Sequence, residues 1–434
     1  MKDINIKKHA FVLLLLMSGL YFISYFQRVA IPGTIFNELQ RDFAASASAV
    51  TALGAIYLLV YASMQLFIGM LADRHGGVKI TLVCGLLLCI GSLLFPLSDS
   101  LWVLYLSRVL VGVGASGMYL CIIKETDTLF SARNFAPLIG LFCMIGYGGG
   151  LFGTRPFREI VDVMGWRWAL LLMAGVTVIF LVLTYFAGRA FMGNNTVISR
   201  KPVLDKIKRV IKNSMAYPVF IAVMINFSLY FSIQATIGPK FIEDFLKLEA
   251  SQSTKYTFIM MLFTVLMLLI SGNLSRWLGN RRKPFLVFGA VNAMIAVGIL
   301  LAGSIFKFPP ACFLLAYVML AVSGGLGPVI VSFVKELSPC DVSALSIGFM
   351  NTFCYVAVAV SANLIGLILD IFKNSAMMVN GTRVYPAEAY ITMFTVMLFF
   401  SIISVISSLH SRETKGQSIY DASGSASART PVDI

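Results

Sequence analysis

Gly69-Met-Leu-Ala-Asp73-Arg74-His75-Gly76-Gly77-Val78-Lys79 lies between two long apolar runs. A decayed copy, Gly272-Asn-Leu-Ser-Arg276-Trp-Leu-Gly279-Asn-Arg281-Arg282, follows 203 residues later, with Gly69 over Gly272 and Gly76 over Gly279 at one offset. A glycine-framed charged turn, repeated half a chain apart between apolar runs, is the mark of a duplicated membrane protein. Other residues repeat at a nearby offset: Tyr25/Tyr230, Phe26/Phe231, Ala30/Ala235, Gly33/Gly238 and Glu38/Glu243, and Lys124-Glu125 answers Lys335-Glu336.

Composition agrees. Hydrophobic residues make up 58% and charged residues 12%, against roughly 25% charged in soluble domains, which excludes a water-soluble globule. Crossing a hydrocarbon core of about 30 Å takes roughly 20 apolar residues as a helix, and a helix satisfies its own backbone hydrogen bonds there. Twelve such runs are expected, near 10–31, 49–71, 80–98, 102–123, 136–156, 166–188, 214–238, 254–274, 285–305, 311–334, 344–369 and 388–409. The first is read as a retained helix because no small-residue cleavage site follows it. With a cytoplasmic N-terminus, 22 of the 34 Lys and Arg fall in cytoplasmic loops. That skew matches the positive-inside rule, so the net charge of +14 speaks for topology and a lipid bilayer, not for nucleic acid. Both termini are expected in the cytoplasm of a bacterial cell, at the inner membrane. The histidines His9, His75 and His410 and the seven cysteines show no metal-ligand spacing, so no metal or cofactor is expected and the cysteines read as packing residues.

The expected organisation is an N-terminal six-helix bundle (1–188), a basic cytoplasmic linker (189–213), a C-terminal six-helix bundle (214–409) and a flexible cytoplasmic tail (410–434). The linker is either a surface-lying amphipathic segment or a solvated basic loop.

The turn resembles the loop between the second and third helices of the major facilitator superfamily, the large group of secondary transporters. The resemblance implies an all-α integral membrane fold of twelve transmembrane helices, in two six-helix bundles related by pseudo-two-fold symmetry, with the substrate bound between them. It also implies a gating motif of Gly69, Asp73, Arg74, Gly76, Gly77 and Lys79. In that family the aspartate latches the cytoplasmic side against basic groups and a helix N-terminus of the other half; Arg276 replaces it in the second copy. Gly69 reads as a close helix approach, and Gly76-Gly77 as the tight turn. Arg108 and Gly112 in Arg108-Val-Leu-Val-Gly112-Val-Gly114 resemble the family's fourth-helix motif. A charge inside a span is costly, so Arg108 either gates or snorkels to the outer surface. The run Gly146-Tyr-Gly148-Gly149-Gly150 resembles the glycine-rich fifth-helix signature and reads as helix packing, as do Gly324, Gly325, Gly327 and Pro328.

Cargo is read from the first helix. Tyr21, Tyr25 and Arg28 fall at i, i+4 and i+7, hence on one face. A guanidinium flanked by phenols suits a carboxylate or phosphate, and the pattern resembles the organic-anion and organophosphate permease branches. Two departures follow. Ile233 stands where organophosphate exchangers carry a second arginine, and Gln27 stands where proton-coupled anion symporters carry an aspartate. Arg28 therefore contacts substrate, snorkels outward, or pairs with another group. Further candidate substrate contacts are Tyr57, Gln65, Tyr119, Tyr147, Asn226, Tyr230, Gln234, Asn351 and Tyr355. The sequence shows no Asp or Glu deep in a span; Asp370 and Glu388 sit at ends, leaving Glu125, sodium, exchange or passive movement for coupling. No nucleophile or acid–base constellation suggests an enzyme. The expected function is alternating-access transport of a small, singly charged organic anion by a monomer with a coupling ion. An exporter of hydrophobic drugs or metabolites and a transporter-like ligand sensor are the alternatives.

Overall fold

The computed structural model describes residues 2–130, 132–192, 208–339, 342–379 and 382–419, without the side chains of 2–7, 66, 73, 132–137 and 344. Each expected span is a helix. In order they are Lys2–Ala30, Ala47–His75, Gly77–Leu97, Leu101–Leu129, Ala132–Phe152, Trp166–Gly188, Tyr217–Ser232 continued by Gly238–Leu246, Ala250–Trp277, Lys283–Phe306, Pro310–Gly324 continued by Gly327–Glu336, Ser343–Ile371 and Ala387–Leu409. Among the described residues, eleven helices are long and apolar enough to cross a membrane, and Leu138–Phe152 is a shorter apolar helix at the fifth position. The linker residues 193–207 and tail residues 420–434 lie outside the described residues.

Two spans are interrupted, each by a proline. Span seven loosens into a wide turn at Ile233–Ile237 before Gly238-Pro239. Pro239 has no N–H to give the carbonyl four residues back, that of Ala235. A Cβ on Gly33 would stand 2.6 Å from that same oxygen, so glycine lets the end of span one meet it. Span ten breaks between Gly324 and Gly327, and Pro328 likewise cannot serve the Gly324 carbonyl.

Short elements missing from the sequence reading lie between spans. The Phe36–Asp42 helix follows span one and the Arg155–Met164 helix follows span five. Met377–Val379 and Thr382–Val384 form an antiparallel hairpin, Met377 opposite Val384. Span seven also runs on to Leu246, so Lys240, Glu243 and Asp244 are helical residues, not loop residues. Pro at the start of that segment and the i, i+4 pairing of Lys240 with Asp244 were the available signals.

By internal contacts the chain forms two compact units. One is Met1–Ser199 with Phe231–Leu262 and Val358–Met393; the other is Arg200–Tyr230 with Phe263–Ala357 and Phe394–Ile434. In the first unit, Asp370 accepts from the backbone N–H groups of Ala47 (2.9 Å) and Ser48 (3.1 Å). It thereby serves donors at the start of span two that have no intrahelical partner. The second unit is built on Phe220, Leu326, Phe333, Leu337 and Met350, with Val223 and Phe227 packed against them.

Candidate functional site

In the first unit the helical spacing of Tyr21, Tyr25 and Arg28 builds a ladder of rings. Tyr21 stacks on Tyr119 at 5.6 Å between centroids and meets Tyr25 edge-on at 6.0 Å. Tyr25 meets Tyr147 at 4.8 Å. The ladder ends on the Arg28 guanidinium, which lies 4.6 Å from the Tyr25 centroid, 4.4 Å from Tyr61 and 5.8 Å from Tyr57. Arg28 is 3% exposed, so it does not snorkel to a surface. A desolvated cation over ring faces gains about 2 kcal/mol per good contact. Tyr61 was missed; it lies at i+4 from Tyr57, the spacing that singled out Tyr21 and Tyr25.

The glycines of span five make room for this ladder. A Cβ on Gly146 would stand 2.1 Å from the Tyr21 ring, and one on Gly150 would be 2.9 Å from Tyr25. The packing reading of the glycine run therefore has a specific partner in the rings of span one.

Arg108 is wholly buried and also does not snorkel. Its Nε donates to the Leu53 carbonyl (3.1 Å), and Nη2 donates to the carbonyls of Gln27 (3.2 Å) and Ile31 (3.4 Å). The last carbonyls of a helix have no intrahelical donor and carry partial negative charge, so Arg108 caps span one from span four. Its guanidinium also lies 4.5 Å from the Tyr57 centroid, which places Tyr57 beside both arginines. Gln27 is held in the same network, its Oε1 accepting from Arg108 and its Nε2 donating to Ser92. Gly112 is needed here: its Cβ would stand 2.9 Å from the Tyr57 carbonyl.

The remaining candidates are dispersed. Gln234 is buried in the wide turn of span seven, 3.9 Å from the Met261 sulfur, in the first unit. In the second, Tyr230 accepts from Thr264 (3.0 Å) and its ring lies 2.8 Å from a Cβ position on Gly324. Asn226 accepts from Ser404 (2.8 Å), and Tyr355 meets Phe227 edge-on at 5.4 Å. Gln65 and Asn351 are half-buried.

At the charged turn, Gly76 adopts φ +86°, the conformation for which glycine is the default residue. Glu125, the acid of Lys124-Glu125, is buried and accepts from Val78 N–H at 3.1 Å. A Cβ on Gly77 would stand 2.8 Å from the Glu125 Oε1 and 2.9 Å from the Cys121 carbonyl, so Gly77 admits the carboxylate to the helix N-terminus. Gly69 does not behave as expected: the nearest atom to its Cβ position is 3.9 Å away, which is ordinary contact. Arg74 and Lys79 are exposed, and the Asp73 side chain lies outside the described residues.

At the copy, Glu336 does not reach the backbone of the following span. It accepts from Arg282 at Nε (3.0 Å) and Nη2 (2.9 Å). The N–H groups of Arg282 and Lys283 donate instead to Glu413 at 2.9 and 3.2 Å. Thr414 donates to Glu336 at 2.5 Å, and Ile419 N–H donates to the Glu336 carbonyl at 3.1 Å. The first residues of the segment read as a flexible tail are thus docked here.

Buried acids are present among the described residues. Besides Glu125, Asp244 is 7% exposed. It accepts from Lys240 Nζ (2.7 Å), Tyr390 OH (2.6 Å) and Tyr385 N–H (3.0 Å). Lys240 also donates to the Arg383 carbonyl at 2.5 Å. In the Arg155–Met164 helix, Arg158 pairs with Glu38 and Asp162, each at 2.5 Å. Burial alone would lower the Arg158 pKa, but the two carboxylates outweigh it and raise it above the ordinary value.

The sequence is 27% identical over 167 residues to the uncharacterized transporter YybO of Bacillus subtilis, covering 38% of each chain. It is 24% identical over 163 residues to the probable sulfoacetate transporter SauU of Cupriavidus necator, 37% of each chain. Over 177 residues it is 28% identical to the multidrug resistance protein Stp of Mycobacterium tuberculosis, 40% of this chain and 33% of that one. These matches thus span well under half the length of each relative. In fold, it resembles a bacterial homologue of the human lysosomal transporter Spinster, with TM-score 0.73 and 15% identity over 92% of this chain and 96% of that one. The nucleoside transporter NupG resembles it with TM-score 0.71 and 13% identity over 92% and 99%. With residues 17–362 matching the sequence model of the Major Facilitator Superfamily, the chain belongs to that family of multi-pass membrane transporters.

Proposed function

We propose that the protein is a secondary transporter of a small, singly charged organic anion, working by alternating access across the cytoplasmic membrane with both termini in the cytoplasm. The observation that carries this reading is the buried Arg28 guanidinium set over the faces of Tyr25, Tyr57 and Tyr61. Ring faces stabilise the cation, and its planar N–H fork is suited to a carboxylate or sulfonate. Arg108 is turned to helix carbonyls, whereas Arg28 lies among the phenols on the face of span one read for cargo. The likeness to a relative named for sulfoacetate supports an organic anion, and the organic-anion branch is the corresponding assignment within the family.

The test is uptake by proteoliposomes of labelled monocarboxylates, sulfoacetate and phosphate monoesters. Arg28→Ala should cut uptake of the transported anion roughly tenfold to hundredfold, the worth of a charge-assisted hydrogen bond, in protein that remains monodisperse. Unchanged uptake of every anion by the variant would sink the reading. The second reading, export of hydrophobic compounds, is favoured by the aromatic ladder itself and by the likeness to a multidrug resistance protein. It predicts that Arg28→Ala leaves drug tolerance of the host unchanged, while replacing Tyr25 or Tyr61 lowers it.

A further inference from the structure

We propose that Glu243 is a proton-binding site, and that its protonation is coupled to the hold of span seven on the segment after span one. Only the place of this site in a transport cycle rests on the secondary-transport reading; the proton binding does not.

Glu243 stands at the end of span seven in the first unit. Its oxygens take neutral donors: Asn37 Nδ2 donates to Oε2, and Ser253 Oγ donates to Oε1 at 2.8 Å. Charged groups face it from each neighbouring element. Its own helix supplies Lys240 and Asp244, the Phe36–Asp42 helix supplies Glu38, and the Arg155–Met164 helix supplies Arg158 with Asp162 behind it. From the hairpin side the Arg383 carbonyl accepts from Lys240, the Tyr385 N–H donates to Asp244 and the Arg383 guanidinium faces the Tyr385 side chain; from span twelve Tyr390 OH donates to Asp244. Span eight contributes the Ser253 hydroxyl to the carboxylate.

The cations are already matched. Lys240 is paired with Asp244 at 2.7 Å, and Arg158 with Glu38 at 2.5 Å. Asp162, 41% exposed at its side chain, also accepts from Arg158 at Nε and Nη2. An ionised Glu243 therefore adds a further negative charge that its neighbours do not neutralise, whereas a protonated Glu243 adds none. Uncompensated charge away from water is costly, and a group so placed neutralises. The repeat sharpens the point: Glu38 and Glu243 are counterparts at one offset, yet only Glu38 has an arginine.

The site also has an acceptor ready for the proton. Asn37 Oδ1 is buried and has no hydrogen bond. When a proton from water reaches Glu243, the Asn37 amide turns over and its oxygen accepts from the new O–H. Asn37, Glu38, Arg158, Lys240 and Glu243 line a cavity with about 10 Å³ of room for water centres, about what one water molecule needs. Protonation adds this bond without an uncompensated charge and so favours the packed arrangement, with span seven held to the segment after span one. Separating these elements hydrates Glu243 and releases the proton.

The experiment uses full-length protein in liposomes and no substrate, so failure of the anion reading leaves it intact. Infrared difference spectra between alkaline and acidic buffer should show a protonated-carboxyl band that Glu243→Gln removes. Hydrogen exchange of residues 33–46, corrected for its intrinsic pH dependence, should slow as pH falls in the wild type and be independent of pH in Glu243→Gln. Persistence of the band in that variant, or a wild-type exchange profile, overturns the proposal. Should Glu243→Gln fail to fold, Ser253→Ala removes a donor to the ionised carboxylate and must move the band's midpoint upward by roughly one pH unit. An unmoved midpoint overturns it equally.

Discussion

The turn at Gly69–Lys79 and its copy at Gly272–Arg282 began as one structure and now hold their helices by different chemistry. In the first, a glycine beside the turn lets Glu125 touch backbone N–H groups directly. In the second, Arg282 stands at the helix start, so the equivalent acid, Glu336, pairs with the guanidinium and the N–H groups go to Glu413. The arginine at the start of the second helix thus goes with a relay, in place of a direct contact, that recruits the segment after the last span. The helix N-terminus needs an acceptor in both copies; which residue supplies it depends on how closely a carboxylate can approach.

The largest effect is expected in the second turn. Glu336→Ala leaves Arg282 mostly buried, the two side chains being 10% and 12% exposed, and losing one partner of such a pair costs about 3 kcal/mol. Thermal unfolding of the purified protein should show it; an unshifted transition would mean that the tail contact, and not the ion pair, carries this turn. Gly77→Ala should cost about 1–3 kcal/mol, because the added carbon overlaps both Glu125 and the Cys121 carbonyl. Gly69→Ala, with 3.9 Å of room, is the matched control and should unfold with the wild type. Equal losses from the two glycines would erase the distinction between them.

The smallest effect belongs to Glu413. Partial burial works against its ionisation, but backbone N–H groups of Arg282, Lys415, Thr414 and Lys283 outweigh it and hold the carboxyl below the ordinary value. A carboxyl lowered in the folded state contributes stability above its unfolded pKa of about 4.3, and loses it as pH falls through the lower folded value. Proteolysis of the tail after residue 409 should therefore accelerate only in acid. In Glu413→Gln it should already be fast at neutral pH, whereas Glu125→Gln, which alters the acceptor at the start of span three, should leave it unchanged.

Much of this was readable in advance. The spans follow from apolar run length, the duplication from the glycine offsets, and the ladder of Tyr21, Tyr25 and Arg28 from helical spacing. What escaped reading depended on distance in space. The fate of Arg108 turned on which carbonyls lay within its reach, and the sequence offers no way to know that span one ends beside span four. Lys240 and Asp244 looked like loop residues because span seven was read as ending at 238, although mutual pairing lets charged groups stay buried in a helix. Gly69 and Gly77 are alike as letters, and only the neighbours of their missing Cβ atoms tell them apart.

By itself, then, the sequence determined what local physics determines: apolar length makes membrane helices, prolines at 239 and 328 interrupt them, and i, i+4 spacing sets rings and a guanidinium on one face. The tertiary structure alone decided which charges are satisfied and by whom. Glu38 has Arg158 while its repeat counterpart Glu243 has only neutral donors, because Coulomb energy and desolvation depend on through-space distances that a linear order of residues does not contain.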